Sequence, residues 1–257
     1  MSEFMYQYTD VNAVQSIVKS NRVRATHFKF LNDYSEVLHG IDLILEKIIS
    51  DKNLNLVLKK SLKMDVYAAL DKYDIYVASF TNAGDRLSMW RGYGGYALQF
   101  NKSSITIGIT IEGTFRSNSV LPCFYTDDFN EVSQPFLYHQ IIENYENFYL
   151  DGNRDWFSLS VITSAVSIKK KGFYEEEEHR ALIVLGSEDE AVIHHRVSNN
   201  ISIPFIELLL PEGSVTGVVI GPNQDEDRAL IGLNSYLKAN NLNHIKLYGS
   251  EITFRSQ

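Results

Sequence analysis

The strongest constraint on the fold is a change of hydrophobic period along the chain. The first two thirds carry helical spacing and the last third carries strand-like runs. After Asp10, which can cap a helix, Val14, Ile17 and Val18 fall on one helical face. After the loop LNDYSE (31–36), Leu38, Ile41, Leu45 and Ile48 repeat at spacings of three and four. A further helix is predicted over 53–70, and mostly helical segments over 129–150 and 156–168. Among these lie the strand-like VRAT (23–26), DIYVASF (74–80) and ITIGITI (105–111). MWRGYGGYALQF (89–100) reads as a short helix, a glycine turn and a strand. The last third holds HRALIVL, AVIHHRV, ISIPFIELLL and VTGVVIG, then a helix near 225–240 and a closing IKLYGSEI. The pattern predicts an α+β fold, a single domain over 1–257, with mixed or antiparallel sheets and helices concentrated in the N-terminal two thirds.

Composition excludes some functions. With 44 % hydrophobic residues a packed core is expected, and a net charge of −8 argues against a broad electrostatic footprint for nucleic acid. The one cysteine, Cys123, forms no intramolecular disulfide and shows no local sign of activation. The longest apolar runs are too short and interrupted to span a bilayer, and no signal peptide is evident, so a cytoplasmic protein without membrane contact is expected. His194 and His195 are adjacent in a strand-like segment and point to opposite faces, so no metal site is expected there or elsewhere.

Three stretches concentrate chemistry. The first is FYEEEEHRALIVL (173–185), a glutamate run entering an apolar strand. If the strand begins near Glu176, alternation puts Glu176, Glu178 and Arg180 on one face, and Glu175 and Glu177 face water. Arg180 would lower the pKa of a neighbouring carboxylate and a second carboxylate would raise it. The alternative is a solvated turn. The second is SFTNAGDRLSMWRGYGGYALQF (79–100). Ser79 and Thr81 flank Phe80 and point the same way; Asp85 can cap a short helix carrying Trp90 and Tyr93. This reads as a pocket wall, against the alternative of a core tryptophan and an ordinary turn. The third joins YQYTD (6–10) to RVRATHFKFLNDYSE (22–36). Tyr6 and Tyr8 share a face, as do Arg24 and Thr26, and Asn32, Asp33 and Glu36 form an acidic corner before a helix. The lysine run 169–171 reads as a solvated helix end.

Taken in order, these pieces resemble the bacterial and phage family known as domain of unknown function 2971. The resemblance rests on YQYT (6–9), LNDYSE (31–36), SFTNAGDRLSMWRGY (79–93), FYEEEEHR (173–180), IGP (220–222) and SEITFR (250–255), and it covers essentially the whole chain. Gln7 departs from it, standing where a histidine is common. The motifs are similar in turn to those of the ADP-ribosyltransferase superfamily, which implies a split sheet. There Arg24 or Tyr8 would match the first-strand residue, Ser79-Phe80-Thr81 the second motif, and Glu176-x-Glu178 the catalytic glutamate motif. The resemblance implies NAD as substrate, with Glu178 catalytic, Glu176 orienting an acceptor and Ser79 beside them. Tyr8, Arg24, Thr81, Trp90, Tyr93 and Arg180 would bind the dinucleotide. A bacterial toxin or phage-defence effector is implied, with a protein or nucleic-acid acceptor. The alternatives are a non-catalytic ligand- or protein-binding sensor module and a nucleic-acid-acting defence enzyme.

Overall fold

The computed structural model describes residues 3–32, 34–111, 117–118, 120–128, 140–141, 143–186, 188–222 and 225–252. Asp33, residues 129–139 and 142 of the expected helical segment 129–150, and the end of SEITFR lie outside them.

The architecture is α+β, built on a mixed, largely antiparallel sheet. Strand β1 (Phe4–Thr9) leads into helix α1 (Val11–Ser20), whose first turn is closed by Asp10 accepting from Ala13 N at 2.9 Å. Strand β2 (Arg22–His27) follows, then helices α2 (Tyr34–Asp51) and α3 (Leu56–Ala69) and strand β3 (Asp74–Thr81). Helix α4 (Leu87–Tyr93) and strand β4 (Tyr96–Asn101) come next, separated by Gly94 at φ +137°. A Cβ at Gly94 would sit 2.4 Å from the Thr9 carbonyl oxygen, so only glycine lets these backbones meet.

ITIGITI departs from its expected strand. Residues Lys102–Gly108 form helix α5, and only Ile109–Ile111 (β5) is extended. The reason is local: Asn101 Oδ1 accepts from Ser104 N at 3.0 Å, and this cap starts a helix that overrides β-branched propensity.

Short strands β6 (Ser117–Asn118), β7 (Val120–Pro122) and β8 (Phe124–Tyr125) precede helix α6 (Arg154–Val166) and β9 (Ile168–Lys169). A 3₁₀ turn, Lys171–Glu176, then leads into β10 (Glu178–Leu185). The hairpin of β11 (His194–Ser198) and β12 (Ile201–Leu209), strand β13 (Val215–Ile220), helix α7 (Glu226–Ala239) and β14 (Lys246–Gly249) complete the order.

The main path of the large sheet is β14-β13-β4-β1-β3-β2-β12-β5-β6, with β10 added to β3. Among the described residues only the β13–β14 pair in it is parallel. Two cores form on opposite faces. One packs Val14, Ile17, Tyr76, Phe80, Phe100, Ala181 and Ile183 under α1 and α7. The other packs Ile75 and Val77 against Ile41, Leu45, Val66, Phe157 and Val161 of α2, α3 and α6. No helix among the described residues is long and apolar enough to cross a membrane.

Candidate functional site

Strand β3 has three partners. One edge pairs with β10 along its whole length, Thr81↔Glu178 to Asp74↔Leu185. The other edge is divided: β2 holds Tyr76 and Val77, and β1 meets it at Tyr6↔Thr81. Between them the edge has no strand partner among the described residues. A side chain stands in, Gln7 Nε2 donating to the Ser79 carbonyl at 3.3 Å. A cavity of about 230 Å³ opens at this fork.

Strand parity lines it. Directly opposed residues of an antiparallel pair share a face. Thr26↔Val77, Arg180↔Ser79, Glu178↔Thr81 and Tyr6↔Thr81 therefore set Arg24, Thr26, Ser79, Thr81, Glu178 and Arg180 on one face with Tyr6 and Tyr8. All of them line the cavity, together with Tyr93 and Glu176. Glu176 reaches the wall differently from the strand expectation. It ends the 3₁₀ turn, and Glu177 in left-handed geometry (φ 41°) separates it from β10.

The floor is a buried ion cluster. Arg180 Nε donates to Glu178 Oε1 at 2.7 Å and Nη2 to Oε2 at 3.1 Å. Lys169, only 1 % exposed, donates from Nζ to Glu178 Oε2 at 2.7 Å and also to Glu176 Oε2. Glu36 Oε2, from the acidic corner at the start of α2, lies 3.9 Å from the same ammonium. The remaining Arg180 nitrogen, Nη1, donates to the Val166 carbonyl at the end of α6. Burial alone would push the Glu178 carboxyl up. The Arg180 guanidinium and the Lys169 ammonium outweigh it and hold the carboxyl down at about 2, so it is ionised at neutral pH. The nearby Cys123 thiol is pushed above its ordinary value, chiefly by burial, and is therefore no nucleophile at neutral pH.

The lysine run is thus not a solvated helix end. Lys170 and Lys171 are exposed, but Lys169 follows Ile168 in β9, pairs with Tyr125 of β8 and turns inward. The one signal available in the sequence was IKKK directly after an apolar helix, where the chain enters a strand without a turn residue. Glu36 was legible only as a helix-start carboxylate. Among the described residues no group of His, Cys, Asp or Glu is placed to hold a metal ion. The cation among Glu36, Glu176 and Glu178 is the Lys169 ammonium.

The rim ties two loops together. Thr81 Oγ1 donates to the Glu176 carbonyl and accepts from Ala83 N at 2.8 Å. Tyr93 Oη donates to Glu176 Oε1 at 2.7 Å, and Tyr8 Oη to the Ala83 carbonyl at 2.8 Å. Arg86 pairs with Glu177 and donates to the Glu175 carbonyl. The Tyr6 ring fits here because Gly84 has no side chain; a Cβ there would lie 2.4 Å from it.

Two expectations for this wall change. Trp90 is 3 % exposed and packs edge-on against Tyr8 at 4.6 Å, behind the cavity, so it offers no stacking face. Tyr93 is the aromatic that reaches the surface. Asp85 does not cap α4, whose N-terminal flanking residue is Arg86 with no side-chain cap. Its carboxylate accepts from Trp90 Nε1 at 2.7 Å, Ser250 Oγ at 2.6 Å and Glu251 N at 2.8 Å. The requirement that an indole N–H find a partner inside the protein, together with the SEI segment, explains the aspartate.

No protein-family model, curated protein or solved structure matches the chain.

Proposed function

We propose that the chain is an NAD-consuming enzyme of the ADP-ribosyltransferase kind, acting as a transferase or glycohydrolase. The observation carrying this reading is an ionised Glu178 with Glu176 beside it on the wall of a cavity that Ser79, Thr81, Tyr8 and Arg24 also line. The fork of β1 and β2 along β3 is in keeping with the split sheet that such enzymes use. Cleavage of the nicotinamide–ribose bond builds positive charge on the ribose, and a fixed carboxylate lowers the energy of that state. Of the two aromatics expected to bind the dinucleotide, Tyr93 supplies the face and Trp90 does not. The cavity is smaller than a site for a whole drug-sized ligand, so it takes the nicotinamide ribose while the rest of the dinucleotide lies outside. The resemblance to domain of unknown function 2971 belongs to the same proposal, as does the setting of a cytoplasmic toxin or phage-defence effector with a protein or nucleic-acid acceptor.

A second reading, a non-catalytic ligand-binding module, is favoured by one observation. Both Glu178 oxygens already accept hydrogen bonds from Arg180 and Lys169. Incubation with NAD labelled in the nicotinamide or in the adenylate, with and without cell lysate, separates the two. The enzyme reading expects nicotinamide release or label transfer, abolished in Glu178→Gln, with the fold of the variant checked by circular dichroism. Tight NAD binding without turnover under any condition establishes the binding module instead.

A further inference from the structure

The cavity at the fork continues past β1 and β2. A second cavity, of about 290 Å³, adjoins it, and Gln7, Tyr8, Arg24 and Thr26 line both. Its far wall is the face shared by β2, β12 and β11. The pairs Glu207↔Arg24 and Ile203↔Arg196 set Arg24, Glu207 and Arg196 on that one face.

The charges there do not cancel. Arg22 Nη1 pairs with Glu207 at 3.0 Å. Asp10, the other carboxylate on the wall, caps α1. The Arg24 guanidinium lies over the Phe205 ring, 4.6 Å from its centroid. Among the described residues neither Arg24 nor Arg196 has a carboxylate within ion-pair distance. Two guanidiniums therefore face one cavity of a protein whose net charge is −8.

Gln7 stands at the junction. Its Nε2 donates to the Ser79 carbonyl, which fixes the sense of the amide. Its Oε1 is buried and has no hydrogen-bond partner among the described residues. A buried acceptor left unmet is costly, and a ligand hydroxyl would meet it.

We propose that the two cavities form one cleft for a ribose phosphate ligand. The sugar donates a hydroxyl to Gln7 Oε1, and the base or ring it carries enters the cavity at the fork. Its phosphate or pyrophosphate lies on Arg24 and Arg196, whose planar forks match phosphate oxygens. The proposal rests on the nucleotide part of the reading above. It adds the anionic end of the ligand and gives β11 a part in binding it.

Calorimetric titration of the whole protein with ADP, adenosine and inorganic pyrophosphate tests the cleft. ADP is expected to bind at least about tenfold tighter than adenosine. Arg196→Ala is expected to remove that preference and leave adenosine affinity unchanged. Arg196 is half-buried on a strand at the sheet edge, and the melting temperature of the variant confirms that its fold is kept. Equal affinity for ADP and adenosine, a preference that survives Arg196→Ala, or no binding of any of the three overturns the proposal. Assays of NAD turnover tell its failure from that of the enzyme reading. Arginine-dependent ADP binding without NAD turnover overturns the enzyme and keeps the cleft. NAD turnover with KM unchanged in Arg196→Ala overturns the cleft and keeps the enzyme.

Discussion

The two ends of the β3–β10 ladder are built by the same rule and held by opposite means. At one end Ile75 and Val77 face Val184 and Leu182, and helices α2, α3 and α6 cover them. At the other, the same face of the same strands carries Ser79 and Thr81 opposite Arg180 and Glu178. The apolar end is stabilised by removing hydrocarbon from water, about 1.5–3 kcal/mol for each large side chain. The polar end removes charges from water, which is unfavourable unless every charge is met. Here Lys169 and Arg180 donate to both oxygens of Glu178 and meet its charge. A face that could have been core throughout becomes a charged floor at the edge of a cavity, as expected of a site held by rigid strands rather than by a loop.

The comparison breaks most visibly if the buried ammonium is removed. Lys169→Met removes the ammonium that meets Glu176 and Glu178, and a loss of about 3–5 kcal/mol in urea unfolding is expected. Acid sharpens the difference. The Glu178 carboxyl sits at about 2 when folded, below its ordinary 4.5. Its contribution, on the order of 3 kcal/mol, is complete above pH ~4.5 and lost as pH falls toward 2. Unfolding followed against pH should show this acid limb in the wild type and a shallower one in Glu178→Gln. At the apolar end Ile75→Val should cost only about 1 kcal/mol and leave the acid limb intact. The smallest effect is expected of Tyr93→Phe, which deletes the hydroxyl donating to Glu176. At a position 38 % exposed, the melting temperature should fall by no more than about 4 °C.

Much of the polar end was legible as parity. Alternation alone pairs Arg24 with Thr26, Ser79 with Thr81 and Glu178 with Arg180, and the sheet then brings these pairs to one face. Parity operates within a strand, so it fails where the backbone leaves one. Glu176 lies beyond the left-handed Glu177, and its place depends on a 3₁₀ turn that the glutamate run does not signal. Lys169 was hidden because a lysine run reads as solvated unless its partners are known, and two of those partners come from the glutamate run and one from α2. Trp90 and Asp85 looked like site and cap because they are close to them in sequence. Their partners, Tyr8 and Ser250, are far from them in the chain. ITIGITI failed for the opposite reason: a single asparagine cap outweighed three β-branched residues, Ile105, Thr106 and Ile107.

The bond between Asp85 and Ser250 spans 165 positions of the chain. Chains emerge from the ribosome N-terminus first, so the whole intervening chain is synthesised before Asp85 meets this partner. The strands that line the floor are all made earlier. A nascent chain that has released β10 already carries every residue of the ion cluster, while the Asp85–Trp90 corner still waits for its last two donors. Completion of the rim therefore waits until Ser250 and Glu251 have been made.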